Sequence, residues 1–156
     1  MSDTDWAEPL AQLLRHGRST LKVLSPCCGV NGPVRALIAL GMPWVSTGDY
    51  DTNIDLYHAL AKLHAPEQIH VGRTAGNICD VPLASLDSET DCVISGPPCP
   101  PHSFIGKRLA HLDARSSVFT TVVSWIVHLA TNGRLAFFLL ENVCGILIRH
   151  ESIPEV

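Results

Sequence analysis

The segment Gly96-Pro97-Pro98-Cys99-Pro100-Pro101-His102-Ser103 encloses one thiol between two pairs of prolines. Proline fixes φ at about −65° and gives no backbone N–H, so neither a strand ladder nor a helix interior absorbs this loop. The apolar run Cys92-Val93-Ile94 precedes it, so the loop reads as a rigid holder that receives Cys99 from a strand. A thiol held this way suits nucleophilic attack once its thiolate is stabilised. Glu141 follows the apolar run 135–140 and supplies a nearby acid or hydrogen-bonding partner. The bland alternative is a proline-rich turn with an incidental small apolar cysteine.

Other thiol chemistries fit poorly. A phosphatase-type loop needs an arginine six residues after the cysteine, where Ile105 stands. A thioredoxin-like site needs a second cysteine or a Cys-Pro loop opening a helix, and Pro100-Pro101 offer only the weakest form of it. A cysteine protease needs an oriented histidine, and His102 is too close in sequence for that role. The chain has no metal-finger spacing and no Cys-x-x-Cys pair, and its eight histidines are scattered, so no metal site is expected.

Further upstream, Gly29-x-x-Gly32 is a turn whose backbone can approach a ligand and open a helix. Asp49 and Tyr50 follow a second apolar run, where doubly wound folds accept a ribose hydroxyl and an aromatic ring stacks on a base. Together these predict an adenosine-containing cofactor. The turn has only part of the three-glycine rhythm that seats a pyrophosphate, so a ligand without phosphate fits better.

The elements that position these residues alternate in type. An amphipathic helix is expected over the first twenty residues, with Trp6, Leu10, Leu13 and Leu14 at helical spacing and Gly17 ending it. Strands are expected at 21–24, 44–47, 69–71, 91–95 and 135–140, with helices at 34–40, 53–63 and 114–130. This order predicts a Rossmann-like, doubly wound, mainly parallel α/β sheet with helices on both faces and ligands at the carboxyl ends of the strands. Each unusual cluster falls there. Two regions follow, an N-terminal helical segment at 1–20 and one partial domain at 21–156.

At 156 residues with 46% hydrophobic and 17% charged content, the chain can bury a substantial core. The start Met1-Ser2-Asp3-Thr4-Asp5 lacks signal-peptide character, and no run is long enough to span a membrane. An intracellular protein with free cysteines is expected, nuclear if eukaryotic and cytoplasmic otherwise. A net charge of −4 argues against a surface that grips nucleic acid everywhere. The local exception is basic: Lys107, Arg108 and Arg115, with His102 and His111, face Asp113 alone. A solvated basic turn would look the same.

In order along the chain stand the glycine turn, the acid and aromatic after strand two, Gly76-Asn77-Ile78, Gly-Pro-Pro-Cys-x-x-x-Ser, Gly106-Lys107, Asp113-x-Arg115 and Glu141-Asn142-Val143. This series resembles the cytosine-5 DNA methyltransferases from about Leu21 to Ile148. The resemblance implies S-adenosylmethionine as cofactor, with Gly29, Gly32, Asp49 on the ribose, Tyr50 on the adenine face, Asn77, Ile78 and Pro98 around it. Cys99 would add to carbon 6 of cytosine, with Glu141 at N3 and the exocyclic amine and Asn142 supporting the loop. Ser103, Lys107, Arg108 and Arg115 would meet the nucleic acid, from which the cytosine must be flipped.

Some positions depart from the family pattern. Cys27 stands where an aromatic is usual, Asn31 where a further glycine is, Asp49 where Glu is, and Asn77 where Asp is common. Pro100 and His102 replace a glutamine and an aromatic. Family members also continue with an arginine-bearing motif, a target recognition domain and a motif that closes the cofactor site, whereas this sequence stops at Val156. The expectation is therefore an amino-terminal catalytic portion, a fragment or one half of a split enzyme, acting on DNA with a carboxy-terminal partner chain. RNA as substrate stays open, as does an inactive methyltransferase-like regulatory module. A Rossmann-type oxidoreductase would leave Cys99 and Glu141 unexplained.

Overall fold

A computed structural model of the chain describes residues 19–63, 65–98, 116–133 and 135–143. The expected helix of residues 1–20 therefore lies, apart from its last two residues, outside the described residues. Those two form a bend leading into the first strand.

Five strands, β1 (Leu21–Pro26), β2 (Trp44–Asp51), β3 (Ile69–Val71), β4 (Cys92–Ser95) and β5 (Phe137–Leu140), form one sheet in the order β3-β2-β1-β4-β5. Every pairing is parallel. The helices are α1 (Gly32–Ala39), α2 (Tyr57–Leu60) and α3 (Ser116–Asn132). The sheet is built outward from β1 in one direction and then resumes at β4 on its other side. That reversal opens a crevice between the carboxyl ends of β1 and β4, where ligands of open α/β sheets bind.

Side chains alternate across each strand, which divides the core in two. Leu21, Val23, Cys92 and Ile94 face α1 and pack with Val34, Leu37 and Met42. Leu24 and Val93 face α3 and pack with Val122, Trp125, Ile126 and Leu129. Strands covered on both faces read as continuous apolar runs, which is why β1 and β4 stand out in the sequence. The expected fold class is the one observed.

Gly41 ends α1 at φ 63°. Its N–H reaches Ile38 O, and Met42 N–H reaches back to Leu37 O, a Schellman closure with Met42 and Leu37 in the same apolar cluster. Two elements differ from expectation. The helix read at 53–63 is a 3₁₀ turn, Ile54–Leu56, followed by the single α-turn of α2. Asp51 and Asn53 accept the backbone N–H groups two residues on, and such local bonds compete with a regular helix start. β2 also runs four residues past its apolar part. Asp49, Tyr50 and Asp51 pair with Ile69, His70 and Val71 of β3, so β3 keeps the polar end of β2 in the sheet.

Candidate functional site

The turn after β1 is compact and strained. Cys27, Gly29 and Asn31 all take left-handed backbone conformations, at φ 56°, 52° and 54°, and a left-handed cysteine is unusual. Bonds from β2 hold the turn. Tyr50 O accepts Cys28 N–H at 3.0 Å, and Asp51 Oδ2 accepts Gly29 N–H at 3.0 Å. Ser95 Oγ donates to Pro26 O, which ties the end of β4 to the end of β1.

Two cavities open on either side of this turn. The first, of about 240 Å³, is walled by Gly29, Tyr50, Asp51, Asn77, Ile78 and Pro98, with Thr52, Gly76 and Val118 completing it. Tyr50 is fixed there by a stack on His70, with ring centroids 4.5 Å apart, and an edge contact to Trp125 at 5.2 Å. Burial, and then the charge of Asp49, push the Tyr50 hydroxyl pKa up, so the ring stays neutral at physiological pH. The loop after β3 closes one side. A Cβ at Gly76 would stand 1.8 Å from Asp51 O, so only glycine lets that loop lie against the strand.

The second cavity, of about 210 Å³, is lined by Asn31, Pro33, Ile94, Ser95, Leu139 and Glu141, with Cys28. Cys27 and Gly96 line both cavities. They are the shared wall. The Glu141 carboxylate lies over Gly96, 3.3 Å from where a Cβ would stand, and Glu141 N–H is bound to Ser95 O. Asn142 donates its amide to Pro97 O at 3.2 Å and accepts Val143 N–H. Both residues after β5 thus meet the segment that leads into Cys99.

Of the residues singled out in the sequence, the structure gathers Gly29, Tyr50, Asn77, Ile78 and Pro98 around one cavity and places Glu141 at the other. Cys99, Ser103, Lys107, Arg108 and Arg115 lie outside the described residues. Gly32 opens α1 without lining either cavity. Asp49 lies apart from both cavities. It is 1% exposed, and its carboxylate accepts the Asn31 amide and the Ser46 hydroxyl, so it does not line the first cavity. Asp51 does. β2, expected to end at Thr47, runs to Asp51, so the last acid of the strand is Asp51. Thr52 and Val118 line the first cavity with no signal in the sequence, whereas Cys27 stands beside the glycine turn.

Burial holds the thiols of the turn in their protonated form. Burial, then the negative charge of Asp51, raises the Cys27 pKa to about 12. Cys28 is pushed up further by burial and by Asp49 and Asp51. Both stay protonated at neutral pH. Asn77 uses its amide locally, accepting Cys79 N–H and donating to Asp80, which starts the 3₁₀ turn at Ile78. No cluster of metal-ligating side chains occurs among the described residues. Nor is any described helix long and apolar enough to cross a membrane.

The profile of the C-5 cytosine-specific DNA methylases matches residues 21–153. The chain belongs to that family. Its structure is similar to the crystal structure of the S. pombe Dnmt2 methyltransferase, with a TM-score of 0.60 at 21% identity over 81% of this chain. It spans 36% of that protein's length. No curated protein matches the sequence. For this C-5 cytosine methylase family member, the all-parallel sheet fits a Rossmann-like methyltransferase fold, and the two adjoining cavities lie at the carboxyl ends of its strands.

Proposed function

We propose that this chain carries the cofactor-binding and nucleophile-bearing part of an enzyme that methylates carbon 5 of cytosine in DNA. The observation that carries this reading is the meeting of two cavities at Cys27 and Gly96, with an aromatic and a carboxylate in one and Glu141 in the other. Methyl transfer needs two ligands held side by side.

The first cavity suits S-adenosylmethionine. Tyr50 offers a ring face to adenine, Asp51 a carboxylate to the ribose hydroxyls, and Gly29 a backbone that a ligand can approach closely. Ile78, Pro98 and Val118 give apolar walls, and the Asp51 carboxylate favours a cationic ligand. When bound, this cofactor supplies an electrophilic methyl group to a nucleophilic carbon.

Cys99 makes carbon 5 of cytosine such a carbon. Its thiolate adds to carbon 6, forming an S–C bond while electrons shift to carbon 5, and covalent catalysis divides a difficult step. Glu141 holds N3 and the exocyclic amine and eases the charge that develops there. Once carbon 5 carries the methyl group, loss of its proton expels the thiolate and restores the ring. Asn142 keeps the Pro97–Cys99 segment in place through Pro97 O. The cytosine reaches the site by leaving the duplex, at a cost of about a few kcal/mol, and Ser103, Lys107, Arg108 and Arg115 bind the backbone that stays behind.

The test is a trap. The chain, alone and with a carboxy-terminal partner chain, is incubated with S-adenosylmethionine and duplex DNA containing 5-fluorocytosine, whose fluorine cannot leave as the proton does. A denaturing gel should show a covalent complex that Cys99→Ser abolishes. A parallel arm uses RNA carrying the same base, and a complex there but not with DNA moves the substrate to RNA. No complex in either arm, with cofactor binding measured, overturns the nucleophile assignment.

A further inference from the structure

β1 and β4 separate before their carboxyl ends. β1 pairs with β2 to its last residue, Pro26 with Tyr50, and β4 pairs with β5 to its last, Ser95 with Leu140. The β1–β4 register stops earlier, at Leu24 and Val93. Two residues of each strand, Ser25-Pro26 and Ile94-Ser95, therefore run on beside a gap. Pro26 cannot close it by donating, because its nitrogen carries no hydrogen.

A side chain closes it instead. Ser95, 4% exposed, donates its hydroxyl to Pro26 O across 2.5 Å, and the same hydroxyl meets the Cys27 thiol. The Ser95 carbonyl oxygen accepts the Glu141 N–H at 3.0 Å. One residue thus joins the three segments that leave the sheet at this edge, after β1, β4 and β5.

The bond lies where the two cavities meet. Cys27 and Gly96 line both, and each directly follows one end of the bond, Cys27 after Pro26 and Gly96 after Ser95. The Ser95 hydroxyl therefore fixes the wall between a ligand beside Tyr50 and a ligand beside Glu141. A reaction between two bound ligands tolerates little error, since the reacting atoms must stand about 3–3.5 Å apart and a displacement of about 1 Å costs about 100-fold in rate.

We propose that Ser95 is a positioning residue for methyl transfer, whose hydroxyl holds the ends of β1 and β4 together and so sets the separation of the two bound ligands. The transfer half of this proposal rests on the cofactor and cytosine readings of the two cavities. The clasp half does not.

Two variants test it. Ser95→Ala removes the hydroxyl, and Ser95→Cys keeps a weaker donor in nearly the same space. In the first measurement, amide hydrogen exchange is followed in the ligand-free chain at Cys28 and Glu141, bonded to Tyr50 O and Ser95 O, and at Gly72, bonded to Asp51 O beyond β3. Ser95→Ala should speed exchange at Cys28 and Glu141 about tenfold and leave Gly72 unchanged, with Ser95→Cys between it and the wild type. Unchanged exchange at Cys28 or at Glu141 overturns the clasp. Equal acceleration at Gly72 overturns it too, because it reports a general loss of stability.

The second measurement is steady-state methyl transfer from S-adenosylmethionine to duplex DNA and to RNA, by the full chain with a carboxy-terminal partner chain. Ser95→Ala should lower kcat about tenfold or more, and Ser95→Cys should recover part of the rate. The KM for S-adenosylmethionine and the affinity for S-adenosylhomocysteine should stay within about twofold of the wild type. A rise in KM with kcat kept, or an unchanged kcat, overturns the positioning role. If the wild-type chain transfers no methyl group to either nucleic acid, the proposed function fails, and the exchange measurement still supports or overturns the clasp.

Discussion

The side-chain amide of Asn142 donates to the carbonyl oxygen of Pro97 across 3.2 Å, joining the end of β5 to the segment that runs into Cys99. Proline cannot anchor that segment through its own nitrogen, so bonds to its carbonyl groups do the anchoring. Asn142→Ala should remove one partly buried hydrogen bond, worth about 1 kcal/mol. The melting temperature would then fall by roughly 2–4 °C in a domain of this size. Adduct formation by Cys99 should fall more steeply than stability does. Circular dichroism melts and the fluorocytosine trap, run on the same preparation, measure both.

Gly76 is predicted to be the least replaceable glycine of the site. The alanine Cβ would overlap Asp51 O at 1.8 Å, and backbone on both sides must move to relieve it, with overpacking of this kind costing about 1–3 kcal/mol or more. Gly32→Ala is the control, because nothing stands within 4 Å of its Cβ. Thermal melts should show a clear loss for Gly76→Ala and little for Gly32→Ala.

The two thiols of the turn give a pH dependence of stability. Cys27 is raised from 9.0 to about 12 in the folded chain, and Cys28 is raised as well, both mainly by burial. The folded state therefore keeps protons that the unfolded state releases above pH 9. Stability from these groups is fully present below pH 9 and is lost as pH rises towards 12, by at most about 1.4 kcal/mol per pH unit for each thiol. Urea titrations should be level between pH 7 and 8.5 and fall above pH 9. Cys27→Ala should flatten the fall.

Tyr50 is expected to act through its ring, not its hydroxyl. Its ring lines the cavity and packs on His70 and Trp125, and aromatic pairs contribute about 0.5–1.5 kcal/mol beyond area burial. Tyr50→Phe should bind S-adenosylhomocysteine as the wild type does, and Tyr50→Ala should lose roughly tenfold, which corresponds to about 1.4 kcal/mol. Calorimetric titration distinguishes the two. Equal losses would move the hydroxyl into the contact.

The sheet was legible because β1 and β4 are buried on both faces and so carry unbroken apolar runs. The extent of β2 was not. Asp49 and Asp51 have the same chemistry, and what separates them is how far β2 continues, which depends on pairing with Ile69, His70 and Val71. The short α2 was likewise hidden, since Asp51 and Asn53 divert backbone N–H groups that a helix would use. Glu141 and Asn142 could be found by their place after an apolar strand. Their contacts with Gly96 and Pro97 come from parallel β4–β5 pairing and are a property of the fold.

Whether the cavity of Gly29, Tyr50 and Asp51 holds the methyl-donor cofactor is decided by calorimetric titration of the purified chain with S-adenosylhomocysteine and, separately, with NAD. Saturable binding of S-adenosylhomocysteine, weakened about tenfold or more by Asp51→Ala and Tyr50→Ala, is expected, with no binding of NAD. Binding of NAD in preference, or S-adenosylhomocysteine binding that both substitutions leave unchanged, would contradict it.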